Sequence, residues 1–223
     1  MSEQNELLTL LQISDSAFPT GGFSHSGGVE SALKHNIVTN KSELRDCFGY
    51  CVENAGSFGI PFVTASYNAC FEIEKLVAID NHCDVCTPNH VAKRASIRQG
   101  RSMLETCSKS FANSQMVSLL DQLQCCHLPV VYGACCGIMG INIKSTMTTF
   151  LYSTLRSSIA SSIRLDKVGP IEAQIIQTNL QKTIPDVVDR YRYRTIEEAC
   201  IVFPIIDMIQ NAHDNMFSKL FYS

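Results

Sequence analysis

Apolar residues along the chain recur mostly at helical spacing, three or four positions apart. The segment from Leu44 to Ala55 places them on one face, and the segment from Met147 to Ile159 repeats this pattern. No stretch alternates convincingly between apolar and polar residues, as a half-buried strand would require. The pattern therefore predicts an all-α fold, in which residues 1–223 form a single globular domain of roughly ten helices.

Capping residues and prolines predict where several helices begin. Asn40 with Glu43 three residues later resembles a capping box, and Ser24 and Ser145 are placed to cap the helices that follow them. Proline suits the first turn of a helix because its missing N–H has no partner there. Pro61 therefore predicts a fresh helix start.

Composition and charge exclude several classes of function. The net charge is −3, so the chain as a whole has no excess of positive charge with which to bind nucleic acid. The longest apolar run, Leu128–Ile141, has fourteen residues and predicts a buried helix, because a membrane-spanning helix needs about 20. The 11 cysteines are an odd number, and the first residues do not resemble a secretory signal. We therefore expect reduced thiols and a cytoplasmic location.

A glycine-rich segment, SDSAFPTGGFSHSGGVE (residues 14–30), interrupts the helical pattern and is called the elbow below. A phosphate-binding P-loop would need a lysine after its second glycine, and Gly21–Gly28 contains none. His25 has a serine on each side, but adjacent residues on a helical turn point about 100° apart, which does not suit a nucleophile and its base. We interpret the elbow as a turn that presents Phe23 and His25 for docking; a hydrolase centred on His25 is one alternative.

A second alternative is a metal carrier based on thiols and histidines. The segment HCDVCTPNH contains four possible ligands for zinc or nickel: His82, Cys83, Cys86 and His90. Their spacing matches no common zinc-finger pattern, and no second C-x-x-C motif follows. The structural interpretation is a polar loop between helices. The doublet Cys125-Cys126 is interpreted as a pair of small buried side chains.

Two further features suggest contacts with other proteins. Arg94, Arg98 and Arg101 follow helical spacing and form a basic stripe, which is either a solvated face or a patch for an acidic partner. The segment His213–Ser223 (HDNMFSKLFYS), called the tail below, keeps bulky apolar residues where chain ends are normally polar. The tail either packs on its own core or inserts into the groove of a partner.

Together these segments resemble the urease accessory protein F family, and especially its eukaryotic members. The elbow, SIRQGRSMLE (96–105), HLPVVYGACCGIMGI (127–141), LYSTLRSSIASSIRLDKVGP (151–170) and the tail occur in the order of the family. The resemblance implies a cytoplasmic, all-helical homodimer that is not an enzyme and binds no cofactor stably. It also implies a D-type scaffold (H-type in some systems) and a G-type GTPase as partners. Their complex docks on apo-urease, and the partners handle nickel and GTP.

The resemblance also implies which residues bind these partners. The tail residues that bind the scaffold are His213, Met216, Phe217, Leu220, Phe221, Tyr222 and Ser223. The elbow residues that meet the GTPase or the second protomer are Phe18, Pro19, Gly21, Gly22, Phe23, Ser24, His25, Ser26 and Glu30. The predicted function is that of an adaptor that bridges scaffold and GTPase, so that nickel is delivered into apo-urease.

Overall fold

The computed structural model describes residues 2–223, and these residues form twelve α-helices and no strand. In chain order the helices are α1 (Glu3–Ser14), α2 (Val29–Lys34), α3 (Lys41–Asn54), α4 (Ile60–Asn68), α5 (Ile73–Val85), α6 (His90–Ser110), α7 (Ser114–Gln122), α8 (Leu128–Met139), α9 (Ile143–Arg164), α10 (Pro170–Leu180), α11 (Ile184–Tyr191) and α12 (Pro204–Asn211). A π-helical turn at Ala55–Gly59 joins α3 to α4. The predicted all-α fold is confirmed.

One hydrophobic core extends through the domain, from Ile13 in α1 to Ile209 in α12. The apolar run that predicted a buried helix forms α8, which packs mainly against α4 and α6. A side chain on Gly133 of α8 would overlap the backbone of Val63 in α4, so glycine allows these two helices their close approach. None of the helices formed by residues 2–223 combines the length and the hydropathy that a membrane span requires.

The predicted helix starts are correct in part. Asn40 caps α3 by accepting a hydrogen bond from the backbone N–H of Glu43 at 3.0 Å. The Glu43 carboxylate accepts from the backbone N–H of Thr39 at 2.7 Å, so the reciprocal bond is displaced by one residue from a capping box. Pro61 lies in the first turn of α4, as predicted. The cap of α9 is Asn142 and not the predicted serine three residues later.

The elbow has a more irregular backbone than the sequence predicts. Ser24 ends a short 3₁₀ turn and caps no α-helix, so the prediction of a helix that starts there is wrong. Gly27 and Gly28 turn the chain before α2 begins at Val29, with φ angles of 61° and 94°. A side chain is strained at such angles because its Cβ clashes with the backbone, and glycine avoids this clash. The helix α2 that follows has six residues, and Glu30 lies in its first turn.

Candidate partner-binding site

The elbow and the tail are far apart in the sequence but lie side by side. Ser26 donates two hydrogen bonds to the carbonyl oxygen of Ser223, at 2.7 Å from its backbone N–H and 2.8 Å from its hydroxyl. The backbone N–H of Tyr222 donates to the carbonyl oxygen of Ser24 at 2.8 Å. His25 Nδ1 lies 2.7 Å from the hydroxyl oxygen of Ser223. The tail is therefore packed against the elbow of its own chain.

Glu30 is the buried anchor of the tail. Its carboxylate accepts hydrogen bonds from the backbone N–H groups of Leu220 at 2.7 Å and Phe221 at 3.0 Å. The ammonium of Lys34, one turn further along α2, lies 3.3 Å away, and His213 Nε2 lies 3.4 Å away. Burial acts to raise the pKa of Glu30, but the two backbone donors and Lys34 lower it overall. Glu30 is therefore a charged group whose loss of hydration is offset by its donors.

Two buried histidines belong to the same network. Burial, with contributions from Arg98, Arg94 and His213, lowers the pKa of His25 to about 4. Burial also lowers the pKa of His213, although Glu30 acts in the opposite direction. Both imidazoles are therefore neutral at pH 7. The expectation that His25 is presented at a surface is wrong, because only 8% of it is exposed and its ring holds the tail.

The tail has an inward side and an outward side. The buried residues of the tail are His213, Met216, Phe221 and Ser223. Phe217, Leu220 and Tyr222 project towards solvent, and Phe217 is fully exposed. Phe23 of the elbow is 65% exposed. We call Phe23, Phe217, Leu220 and Tyr222 together the tail–elbow surface.

Arginine side chains stack on the aromatic rings of this region. The Arg164 guanidinium lies 3.6 Å from the ring centroid of Phe23 and 4.3 Å from that of Phe221. Because Phe23 belongs to the elbow and Phe221 to the tail, Arg164 links the two segments. Arg98 lies 5.4 Å from the ring centroid of Tyr222. Such cation–π contacts hold the rings in fixed positions and bring positive charge to the edge of the apolar area.

The basic stripe is divided between two environments. Arg94 binds the carboxylate of Asp214 through two nitrogens, at 2.8 and 3.0 Å, and this contact lowers the pKa of Asp214. Arg101 lies 3.7 Å from Glu105 in its own helix. Arg94 is therefore engaged by the tail of the same chain. Arg98 and Arg101 are exposed.

The remaining elbow residues are mostly structural. Phe18 belongs to the core, and Ser26 and Glu30 are buried by the tail. Pro19 and Gly21 are exposed on the outer loop, and Gly22 is half-buried. The residues predicted as one contact surface thus divide into a buried support and an exposed edge.

The ligands of the metal-carrier alternative do not converge. That set consists of His82, Cys83, Cys86 and His90. Within residues 2–223, the one group of three or more His, Cys, Asp and Glu side chains close enough to share an ion is Asp84, Cys125 and His127. Cys83 is buried in the core, and burial raises the pKa of its thiol. His90 faces Asp214 at 3.0 Å. The proposed ligand set is therefore wrong.

Sequence reasoning missed two residues that build this site. Arg164 lies in the last turn of α9, and nothing local in the sequence indicates that it meets the elbow and the tail. Lys34 carries a signal that was overlooked. It follows Glu30 by four residues in a helix, which is the spacing of a stabilising ion pair.

Comparison with known proteins identifies the family. A family model described as UreF matches residues 38–181. The chain belongs to the UreF family. A urease accessory protein F from Oryza sativa is 31% identical over 98% of this chain and 85% of its own length. One from Arabidopsis thaliana is 30% identical over 95% of this chain and 90% of its own length. A urease accessory protein UreF from Trichodesmium erythraeum is 27% identical over 99% of this chain and 98% of its own length.

The matches confirm the resemblance to the urease accessory protein F family. The UreF model covers α3 to α10 and leaves the elbow and the tail outside its range. The plant and bacterial relatives cover nearly the whole chain. All three of these relatives are named urease accessory proteins.

Proposed function

We propose that this chain is a non-catalytic helical adaptor of the cytoplasm that bridges a D-type (H-type) scaffold and a G-type GTPase. In this role it allows nickel to be delivered into apo-urease, while the partners handle the nickel and the GTP. Membership of the UreF family supports a part in urease maturation. The observation that carries the bridging role is the tail–elbow surface, where four large apolar side chains face solvent on an anchored base.

The physical properties of this surface suit a binding hot spot. A phenylalanine such as Phe217 buries about 150–250 Å² when a partner covers it, and aromatic and arginine side chains contribute most to typical interfaces. The tail is already fixed by Glu30 and Ser26, so little chain entropy is lost when a partner binds. The rings of Phe23 and Tyr222, which arginines also contact, are thus presented in a preorganised arrangement.

The charges around the surface indicate the partner that fits it. The basic residues that border it are Lys34, Arg98, Arg164 and Lys219. Glu30 is buried and Asp214 is paired with Arg94, so the accessible charge is mainly positive. A groove with an apolar floor and an acidic rim complements this arrangement. We assign that groove to the D-type scaffold, and we assign the outer loop at Pro19 and Gly21 to the GTPase or the second protomer.

Co-expression with a tagged D-type scaffold and the GTPase tests the proposal. Removing the whole tail would also remove the partners of the buried Glu30 carboxylate, so a single substitution is a cleaner perturbation. Phe217→Asp is expected to leave the helical circular dichroism and the Tm unchanged and to abolish co-purification with the scaffold. Phe71→Asp is the matched control, because Phe71 is 69% exposed in the turn between α4 and α5. Retention of the complex by Phe217→Asp would refute the assignment.

A further inference from the structure

We propose that Asp84, Cys125 and His127 form a binding site for one divalent transition-metal ion, with zinc and nickel as the ions that fit. The carboxylate, thiol and imidazole donor atoms all lie within 4.8 Å of one another. None of the three residues belongs to the tail–elbow surface. The inference therefore stands independently of the proposed adaptor function.

Two aspartates on α5 contribute to the site in different ways. Asp80 and Asp84 are four residues apart, so their side chains lie on the same face of the helix. Asp80 is buried and accepts the backbone N–H groups of three consecutive residues, Cys125–His127, at 3.2, 2.8 and 2.8 Å. One carboxylate thus fixes the backbone of the loop before α8. The other, Asp84, meets the side chains that the loop presents.

The loop adopts a backbone conformation that ordinary residues avoid. Cys126 has a φ angle of 61°, in the left-handed region, although it is not a glycine. Such a conformation costs free energy, and it persists only where surrounding contacts enforce it. Here the hydrogen bonds to Asp80 enforce it.

The imidazole of His127 is held in an orientation suited to a metal ligand. The ring is fully buried, with Nδ1 3.1 Å from the hydroxyl oxygen of Ser96 and Nε2 3.2 Å from Oδ1 of Asp84. Metal-binding histidines usually donate a hydrogen bond from the nitrogen that does not bind the ion. In the metal-free chain Nε2 donates its proton to the Asp84 carboxylate. With the proton on Nδ1 instead, donated to Ser96, the lone pair of Nε2 faces the position of the ion between His127 and Asp84.

The separations between the donors allow an ion to bind after small adjustments. A tetrahedral zinc ion at 2.0–2.3 Å from its ligands places them about 3.3–3.8 Å apart. Asp84 and His127 are already at 3.2 Å, and no pair has more than about 1.5 Å to close. Asp84 and Cys125 are partly exposed, so an ion can enter and a water molecule can take the fourth position.

The chemistry of the donors selects the class of ion. An oxygen, a nitrogen and a sulfur suit zinc or nickel, whereas magnesium and calcium require oxygen ligands. When the ion binds, the sulfur of Cys125 forms the metal bond and releases its proton to solvent, and the imidazole proton moves through solvent from Nε2, which binds the ion, to Nδ1, which donates to Ser96. The ammonium of Lys93 lies 3.1 Å from Oδ2 of Asp84 and competes with the ion for this carboxylate.

Metal binding by the purified, reduced full chain tests the inference. Co²⁺ is the spectroscopic probe, because a Co²⁺–thiolate bond absorbs visibly, and Zn²⁺ and Ni²⁺ are titrated by calorimetry. We expect one ion per chain. Asp84→Asn and Cys125→Ser are each expected to weaken binding by at least about 100-fold, since loss of even an indirect partner of a metal ligand costs about 10- to 100-fold. Cys200→Ser, at an exposed thiol, and Cys86→Ser are the matched controls and should bind as the wild type does.

Lys93→Met separates a metal site from a purely structural cluster. Removing the ammonium frees Asp84 for the ion, so binding should become several-fold tighter. A cluster that serves only packing would show no such gain. The inference is overturned if the wild type binds none of the three ions, if Asp84→Asn and Cys125→Ser bind normally, or if Cys86→Ser loses binding. None of these outcomes affects co-purification with the scaffold, so failure here is distinguishable from failure of the proposed function.

Discussion

Replacement of Glu30 by glutamine is expected to release the tail from the elbow. The glutamine keeps the size of the side chain but turns one hydrogen-bond acceptor into a donor, which then faces a backbone N–H of Leu220 or Phe221. Leaving one buried donor unpaired costs about 1–3 kcal/mol. The lost contact with Lys34 adds up to about 1 kcal/mol, because that ammonium is partly exposed. The total is about 1–4 kcal/mol.

This cost favours undocking of the tail over unfolding of the domain. Once the tail leaves, its N–H groups bind water, so the loss of stability cannot exceed the free energy of tail docking. A change of about 1–4 kcal/mol corresponds to about a 5- to 800-fold increase in the local opening equilibrium. Hydrogen exchange measured by mass spectrometry reports it directly. The peptide that covers residues 213–223 should exchange faster by that factor, while amides of α8 keep their protection.

Glu74→Gln is the control for this experiment, since Glu74 is an exposed glutamate in the first turn of α5. Glu74→Gln should change the hydrogen-exchange rates of neither the tail peptide nor the core amides. If the tail of Glu30→Gln exchanged at the same rate as the tail of the wild type, the carboxylate would not be the anchor. Equal acceleration of tail and core amides would show that the tail is inseparable from the fold, which contradicts the model of a docked segment.

Two further predictions concern stability. The pKa of His25 is lowered to about 4 and that of His213 is also lowered, so below pH 6.5 the unfolded chain takes up protons that the folded chain does not. The free energy of unfolding, measured in urea, should therefore fall below pH 6.5. His25 contributes up to about 1.4 kcal/mol per pH unit down to about pH 4, His213 adds to the loss, and a flat profile would contradict this. Gly133→Ala should lower the free energy of unfolding by about 2 kcal/mol or more, because the added carbon overlaps α4. Gly49→Ala, whose added carbon meets no atom within 4 Å, should stabilise α3 by about 0.5–1 kcal/mol. Thermal unfolding measures both changes, and an unchanged stability of Gly133→Ala would refute the packing argument.

The parts of the fold that depend on local interactions could be predicted from the sequence. The buried helix α8 follows from its apolar run, and Asn40 caps α3 because its side chain satisfies an N–H only three residues away. The start of α9 was misplaced because Asn142 and Ser145 are both good capping residues and the spacing alone does not choose between them. Local chemistry thus places the starts of α3, α4 and α9 to within a turn, but not the start of α2, which begins at Val29 rather than after Ser24.

The site could be predicted only as a set of segments. The resemblance identified the elbow and the tail, but their contact depends on tertiary packing that no local pattern encodes. The tail alternates between exposed and buried residues over 220–223, where the backbone of Tyr222 and Ser223 is hydrogen-bonded to the elbow. Four residues are too few for this period of two to be recognised in the sequence. For that reason Phe221 and Phe217 were predicted alike, although one is buried and the other exposed.

The dissociation constant between the purified chain and the D-type scaffold tests the central claim most directly. If the tail–elbow surface is the docking site, Phe217→Ala should raise the Kd by about 30-fold or more, as expected for a buried aromatic hot spot worth at least about 2 kcal/mol. Phe71→Ala should leave the Kd unchanged. An equal Kd for the wild type and Phe217→Ala would contradict the account.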